Sequence, residues 1–469
     1  MRQPDTLPSS RSRQTIASPA TNKVEAVPPS QATKGKWTWK RGHGLTYAGL
    51  FLFTVVLYAR PAEFYPSRIT ASLALVIALA TLAFFVPTQL SLEGTLTARP
   101  REVNLVLLFC LSGLLSIPLA IDRVAAWAEF SGAFIRCIVI FIVIVNVVRS
   151  EARLKGLLLL ALASGIWLSI GTINDYRLGL MTVEGYRAGG AGQGIFGNPN
   201  DMALHLVTLV PIAVAFLLRS CKLAVKLLYA FFITLMTAAI MLTYSRSAFV
   251  GLVVALMFLG WRVAPKHRPV LMIGGLVVFT GFLAMAPSGY TLRLASILVP
   301  GLDPVGSADA RRGELFRSLY VALRHPLLGI GMGNYAPEMS YRGLVTHNSY
   351  TQVAAEMGMM ALVCYTMFIV SPLRKLGQIA RESFGVRANS PYYYLAVGLQ
   401  ASLIGYLVCS FFASVAYLWY VYYLVAYAVC LRRLYESATG KVVVTEKRPK
   451  PSAPKVGCVI DRASGVATT

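Results

Sequence analysis

Residues 223–264 read LAVKLLYAFFITLMTAAIMLTYSRSAFVGLVVALMFLGWRVA. Two predominantly apolar runs flank one polar turn, Thr243-Tyr244-Ser245-Arg246-Ser247. Each run is long enough to cross the roughly 30 Å hydrocarbon core of a bilayer as an α-helix. Backbone groups in hydrocarbon need partners within their own segment, which favours helices joined by short polar turns. The pattern continues in both directions from this pair. It predicts twelve spans, near 44–60, 69–88, 103–121, 132–148, 156–174, 201–218, 223–244, 247–264, 269–287, 348–371, 394–412 and 414–431. The expected fold class is all-α integral membrane with about 12 transmembrane helices.

Composition agrees. Of 469 residues, 56% are apolar and 14% charged, with a mean hydropathy of +0.61. Soluble domains carry about 25% charge, so a cytosolic enzyme, a disordered chain and a disulfide scaffold are all excluded. The seven cysteines form no CxxC pair or metal-ligand spacing, and neither zinc nor a redox motif is expected. A net charge of +24 would suggest nucleic acid in a soluble chain, but here topology accounts for it. With the N-terminus inside, 31 of the 44 Lys and Arg residues fall in inner segments, and the 13 outside are all Arg. That asymmetry predicts cytoplasmic termini and no nucleic-acid partner.

The predicted organisation is a disordered basic cytoplasmic tail at 1–43 and helices one to nine at 44–287, with an outer Gly-rich loop at 175–200. A large outer loop at 288–347, helices ten to twelve at 348–431 and a second disordered basic cytoplasmic tail at 432–469 complete it.

The candidate chemistry lies in the outer segments. The first long loop has six glycines in thirteen positions between Gly185 and Gly197, with Arg187 among them, followed by Asn198-Pro-Asn200-Asp201. Successive amides there can form an anion nest, and Asn198, Asn200 and Asp201 can cap the next helix; a flexible connector is the plainer reading. Arg246 sits in a turn squeezed between two spans and needs a partner or an aqueous cavity at that depth. In the second long loop, Phe316, Leu319, Tyr320 and Leu323 follow Arg312 at helical spacing, predicting an amphipathic helix on the membrane or across the bundle top. A Gly-rich turn, His325-Pro-Leu-Leu-Gly-Ile-Gly-Met-Gly, comes next. Ser349 and Gln352 are spaced as a capping box, which holds His347 just outside the tenth span. Asn348, Ser349, Gln352 and Glu356 extend a polar stripe into that helix. Intramembrane Glu356 reads as a site residue or as the partner of a buried arginine such as Arg136.

These elements, in this order, resemble the bacterial O-antigen ligase and polymerase family of integral membrane glycosyltransferases. The carriers are Gly197-Asn-Pro-Asn-Asp201, Tyr244-Ser-Arg-Ser247, Arg312 with Phe316, the His325-Pro-Leu-Leu-Gly motif, and His347-Asn348 with Gly358 ten residues after the Asn. They span about 190–370; the first five spans are similar in hydropathy alone. Three residues after Gly358, where the family usually has Gly, Thr or Tyr, stands Ala361, at a position expected to pack helices.

The resemblance implies a glycosyltransferase C type fold with amphipathic helices in the long periplasmic loop. It implies transfer of a glycan from an undecaprenyl-pyrophosphate donor to a lipid, glycan or protein acceptor, on the periplasmic face of the bacterial inner membrane and without a cofactor. For that chemistry the residues favoured here are His347 as the base or acceptor-orienting group and Arg187, Arg246 and Arg312 for the pyrophosphate. Asn198, Asn200, Asn348, Ser349 and Glu356 are supporting residues. Arginine forks suit a diphosphate, and no Asp-x-Asp or Glu-x-Asp occurs in an outer loop, so a metal-independent mechanism is expected. A polymerase of lipid-linked repeat units shares donor and motifs. A solute or anion transporter would want charges near midplane and internal repeats, and neither is evident.

Overall fold

The computed structural model describes residues 42–181, 185–189, 196–263, 280, 290–295 and 306–440. The predicted tails, apart from their inner edges, residues 182–184 and 190–195 of the Gly-rich loop and all but one position of the predicted ninth span lie outside these residues.

No strand occurs among the described residues. In chain order the helices are α1 (Gly44–Ala59) with its short extension α2 (Pro61–Phe64), α3 (Arg68–Glu93) and α4 (Arg101–Ser116). Next come α5 (Arg123–Glu129), joined through a π-type turn to α6 (Ile135–Val147), then α7 (Glu151–Arg177), α8 (Pro199–Arg219), α9 (Leu223–Leu242) and α10 (Arg246–Val263). Then follow α11 (Tyr290–Ala295), α12 (Ser307–Arg324), α13 (Ser349–Glu382), α14 (Tyr392–Ser410) and α15 (Trp419–Thr439). Ten helical segments among the described residues are long and apolar enough to cross a membrane. They coincide with ten of the twelve predicted spans.

The twelfth predicted span is displaced. Residues 411–418 form turns, and α15 begins at Trp419. It ends in a charged stretch, Arg432, Arg433 and Glu436, so it does not qualify as a span by composition. It is nevertheless central, with Tyr420 to Leu431 buried throughout. Burial is possible because Arg432 forms a bidentate pair with Glu102 of α4, Nη1 to Oε1 at 2.8 Å and Nη2 to Oε2 at 2.9 Å. Ser371 of α13 donates to the same carboxylate. Glu102 is wholly buried, so α4, α13 and α15 are clamped together at the end of the bundle opposite His347. α8 forms the middle of the bundle and packs along α14, which packs in turn on α10.

α13 is broken. Gly358 has φ 85° and ψ 175° inside an otherwise helical run. The chain 325–331 fills the break: Ile330 N donates to Ala355 O, Gly331 N to Glu356 O, and Met359 N to Pro326 O. Freed backbone groups at membrane depth are thereby satisfied by protein. A Cβ on Gly358 would strike the carbonyl of Leu327, and one on Gly329 the carbonyl of Glu356. Both glycines also have positive φ. The sequence predicts a Gly-rich turn at 325–333; the turn is present and is docked into the break as a plug. Ala361 is buried beside the break, in a helix-packing position as expected.

Candidate functional site

Two groups of candidate residues form at one end of the bundle. The first is built on the start of α8. Asn198 caps that helix, its side chain accepting from Asn200 N at 2.9 Å. Asn200 Oδ1 accepts from Arg187 Nη2 at 2.7 Å, and Arg187 Nε donates to Thr243 O at 2.8 Å. Arg187 is only 2% exposed, so it braces the Gly-rich loop against α8 and the turn before α10. In that turn Tyr244 adopts a left-handed backbone, φ 51°, which non-glycine residues seldom adopt. Its ring packs edge-on against Tyr186 and Tyr290, and burial raises its phenol above the ordinary range. Arg246, half-buried, is the first residue of α10, between two serines whose hydroxyls lie 3.2 Å apart.

The second group is built on the start of α13, and here one expectation is corrected. The cap is Asn348, not Ser349: Asn348 Oδ1 accepts from Tyr350 N at 2.9 Å and Thr351 N at 3.0 Å. Asn348 Nδ2 donates to Phe411 O. Ser349 donates to Ala413 O at 2.6 Å and accepts from Val415 N, so its hydroxyl anchors the 411–418 turn. Thr346 is held by the Ser414 hydroxyl at 2.8 Å. His347 stands between these pinned neighbours with φ 50°. Its ring is half-buried and has no hydrogen-bond partner among the described residues. Burial, reinforced by Arg311 and opposed by Glu314, pushes its pKa down to about 4. The imidazole is therefore neutral at pH 7, with a lone pair available to accept a proton.

Glu356 is buried two turns below and does not pair with Arg136, which is exposed. It accepts from the Tyr417 hydroxyl at 2.9 Å and from the backbone N–H groups of Tyr335 and Gly333. Its carboxylate thus locks the plug and the 411–418 turn to the broken helix.

α12 lies on this second group through its polar face. Glu314 accepts from the Tyr335 hydroxyl at 2.7 Å and from Ser340 at 2.9 Å, and Ser318 donates to Thr351. Burial, then the Glu314 bond, raises the Tyr335 phenol. The apolar stripe of Phe316, Leu319, Tyr320 and Leu323 faces away from the bundle and is exposed. Arg312 shares that exposed side, its guanidinium 6.0 Å from the Phe316 ring centroid. The adjacent Arg311 is the one that acts electrostatically on His347. Sequence reading missed Arg311, because a one-residue step turns about 100° around a helix and only the docking of α12 decides which arginine faces inward. It also missed the 411–418 turn, whose Phe411, Ala413 and Ser414 hold the His347 segment; beyond it, Tyr420 of α15 packs on Phe196 before α8.

Comparison with known families fits this arrangement. Residues 230–366 match the family described as O-Antigen ligase. The match supports assignment to the O-antigen ligase and polymerase family, and with it the resemblance read from the motifs. It spans the Tyr244–Ser247 turn, Arg312, the plug, His347 and Gly358; Arg187, Asn198 and Asn200 precede it. No curated protein matches the chain at a significant level. The chain is thus a multi-pass membrane protein that is similar to O-antigen ligases over residues 230–366.

Proposed function

We propose that the protein transfers a glycan from an undecaprenyl-pyrophosphate donor to an acceptor at the periplasmic face of the inner membrane, without a metal. The acceptor hydroxyl oxygen bonds to the anomeric carbon as the bond from that carbon to the pyrophosphate oxygen breaks. Undecaprenyl pyrophosphate leaves as an anion, and the hydroxyl proton passes to His347. Arg246 offers a planar fork to the diphosphate, Arg312 joins it by turning in from the exposed side of α12, and charge developing on the diphosphate is stabilised by these cations. Arg187, Asn198 and Asn200 shape the loop around it, and Asn348, Ser349 and Glu356 hold His347 and its support. The observation that carries the reading is His347, a neutral and unbonded imidazole fixed by pinned neighbours on a helix start at the same end of the bundle as Arg246. The polymerase reading uses the same donor and the same residues, with a second lipid-linked repeat unit as acceptor. Supplying purified protein with donor and each acceptor separates the two.

Arg246→Lys retains charge but loses the fork. Losing one charged hydrogen bond costs about 1.5–3 kcal/mol, so transfer should fall roughly 10- to 100-fold while the protein stays inserted. Normal turnover in both Arg246→Lys and Arg312→Lys would mean that the diphosphate binds elsewhere.

Orientation has its own check. Cysteines introduced as Gly192→Cys and Gly306→Cys should react with an impermeant thiol reagent in intact spheroplasts, and Cys458 should not. The opposite labelling would put the arginines and His347 on the cytoplasmic side and sink the proposal.

A further inference from the structure

The two sides of α12 differ in what they meet. Glu314, Ser318, Val321 and Ala322 are buried and pack on the bundle. Val321 and Ala322 share an apolar cluster with Ala354 and Ala355 of α13, and Ser318 donates to Thr351 at 2.8 Å. Ala355 stands about 9 Å along the axis of α13 from its first residue, Ser349. The polar interfacial layer on each side of a bilayer is about 5–8 Å thick. α12 therefore lies beside the first turns of a membrane helix, at interfacial depth, and not above it.

The opposite side carries Phe316, Leu319, Tyr320 and Leu323, all exposed. At each end of this stripe an arginine folds over a ring. Arg312 Cζ lies 6.0 Å from the Phe316 centroid, and Arg324 Cζ 5.2 Å from the Tyr320 centroid. The acidic residues of α12 are Glu314, turned inward, and Asp309, in the first turn before the stripe begins. The stripe itself is thus apolar and cationic. It also runs on past the helix. Leu327 is 81% exposed, and its carbonyl lies over Gly358. The next residue of α13, Met359, donates its N–H to Pro326 O, and Met360 and Val363 after it are exposed. Exposed apolar residues of a span face lipid. One apolar surface therefore joins the stripe of α12 to the lipid-facing side of α13.

That continuity, with cations at both ends of the stripe, selects the bilayer as its occupant. An interfacial helix sinks its apolar side about 5–10 Å into the boundary of headgroups and acyl chains, while its arginines snorkel to the phosphates. We propose that α12 is such a helix: its stripe enters the leaflet at the His347 end of the bundle, and Arg324 holds the headgroup of an anionic phospholipid. The same placement keeps Arg312 at the level of lipid phosphates. Lipid contact is measured without donor or acceptor, so its outcome is separate from that of the transfer reading.

The test is photo-crosslinking of the full-length protein in nanodiscs. The probes are phosphatidylcholine and phosphatidylglycerol, each with a diazirine on the upper acyl chain, and labelled peptides are located by mass spectrometry. Labels should fall on 316–327 as well as on 359–363, and phosphatidylglycerol should label 316–327 more strongly. Leu319→Gln combined with Leu323→Gln should cut labelling of 316–327 about tenfold through lost apolar burial. Labelling of 359–363 should stay unchanged, showing that the protein remains inserted. Arg324→Gln should lower phosphatidylglycerol labelling of 316–327 about fivefold, the usual contribution of one arginine near an anionic surface, and leave phosphatidylcholine labelling as it was. Wild-type labels confined to 359–363 would overturn the proposal, and loss of a dimer in the double variant would then assign the stripe to a second copy of the chain. Equal labelling by the two probes, unmoved by Arg324→Gln, would overturn the headgroup contact.

Discussion

His347→Ala should slow glycan transfer by about 10²- to 10⁴-fold at neutral pH, the usual contribution of a general base, while donor binding stays nearly intact. The pH profile tests the same group independently. With its pKa pushed down to about 4, His347 is unprotonated through the neutral range, so transfer should be flat there. It should fall only as pH drops toward 4, where the imidazolium can no longer accept a proton. An acid limb centred near 6.5, the unperturbed value for histidine, would contradict the desolvated site. His347→Gln separates roles, because an amide orients an acceptor but does not take its proton. Rescue by Gln would assign positioning rather than proton transfer, and full activity in His347→Ala would remove the residue from the mechanism. Loss of donor binding instead would move it to the pyrophosphate.

The largest effect on stability should come from the opposite end of the bundle. Glu102→Ala removes the buried bidentate partner of Arg432 and leaves the guanidinium only Glu436, 3.8 Å from its Nε; breaking a buried pair in this way costs about 3–5 kcal/mol. Replacing both partners together, Glu102→Leu with Arg432→Met, should cost far less, since well-packed apolar residues of similar volume often substitute for a buried pair without loss. Unfolding titrations in mixed micelles, with transfer activity followed in parallel, give the comparison. A single variant as stable as wild type would show that solvent reaches the pair and that α15 is held by packing alone.

How far these features could be read from sequence follows from the range of the forces involved. Ten predicted spans appear because twenty apolar residues in a row admit few alternatives in a bilayer. The start of α15 escaped the reading because Phe411 to Leu418 is as apolar as a helix; its irregular backbone is tolerated only because Asn348 and Ser349, distant in sequence, satisfy its carbonyls and amides. The capping-box spacing at Ser349 and Gln352 was real, but Asn348 stands one residue earlier with a better oxygen for the task. The break at Gly358 is invisible to periodicity, since apolar residues continue on both sides of it. His347, Arg187 and Arg246 were visible because charged or titratable groups are scarce in such a chain. The Arg311 and Arg312 faces were not distinguishable without the docking of α12.

The plugged break in α13 bears on how this region can be exchanged. Residues 325–331 supply the amides and the carbonyl that the membrane helix lacks around Gly358, so the loop before α13 and the span are not separable modules. A chimaera that grafts a relative's loop onto this span, with its junction between 332 and 355, would pair a foreign plug with a native gap and strand backbone groups in hydrocarbon. A junction set before Ser307 and after Met359 would carry plug and gap together. Acceptor preference is therefore expected to move between relatives as that whole cassette, and random recombination within it should be selected against at the stage of membrane assembly, before any sugar is offered.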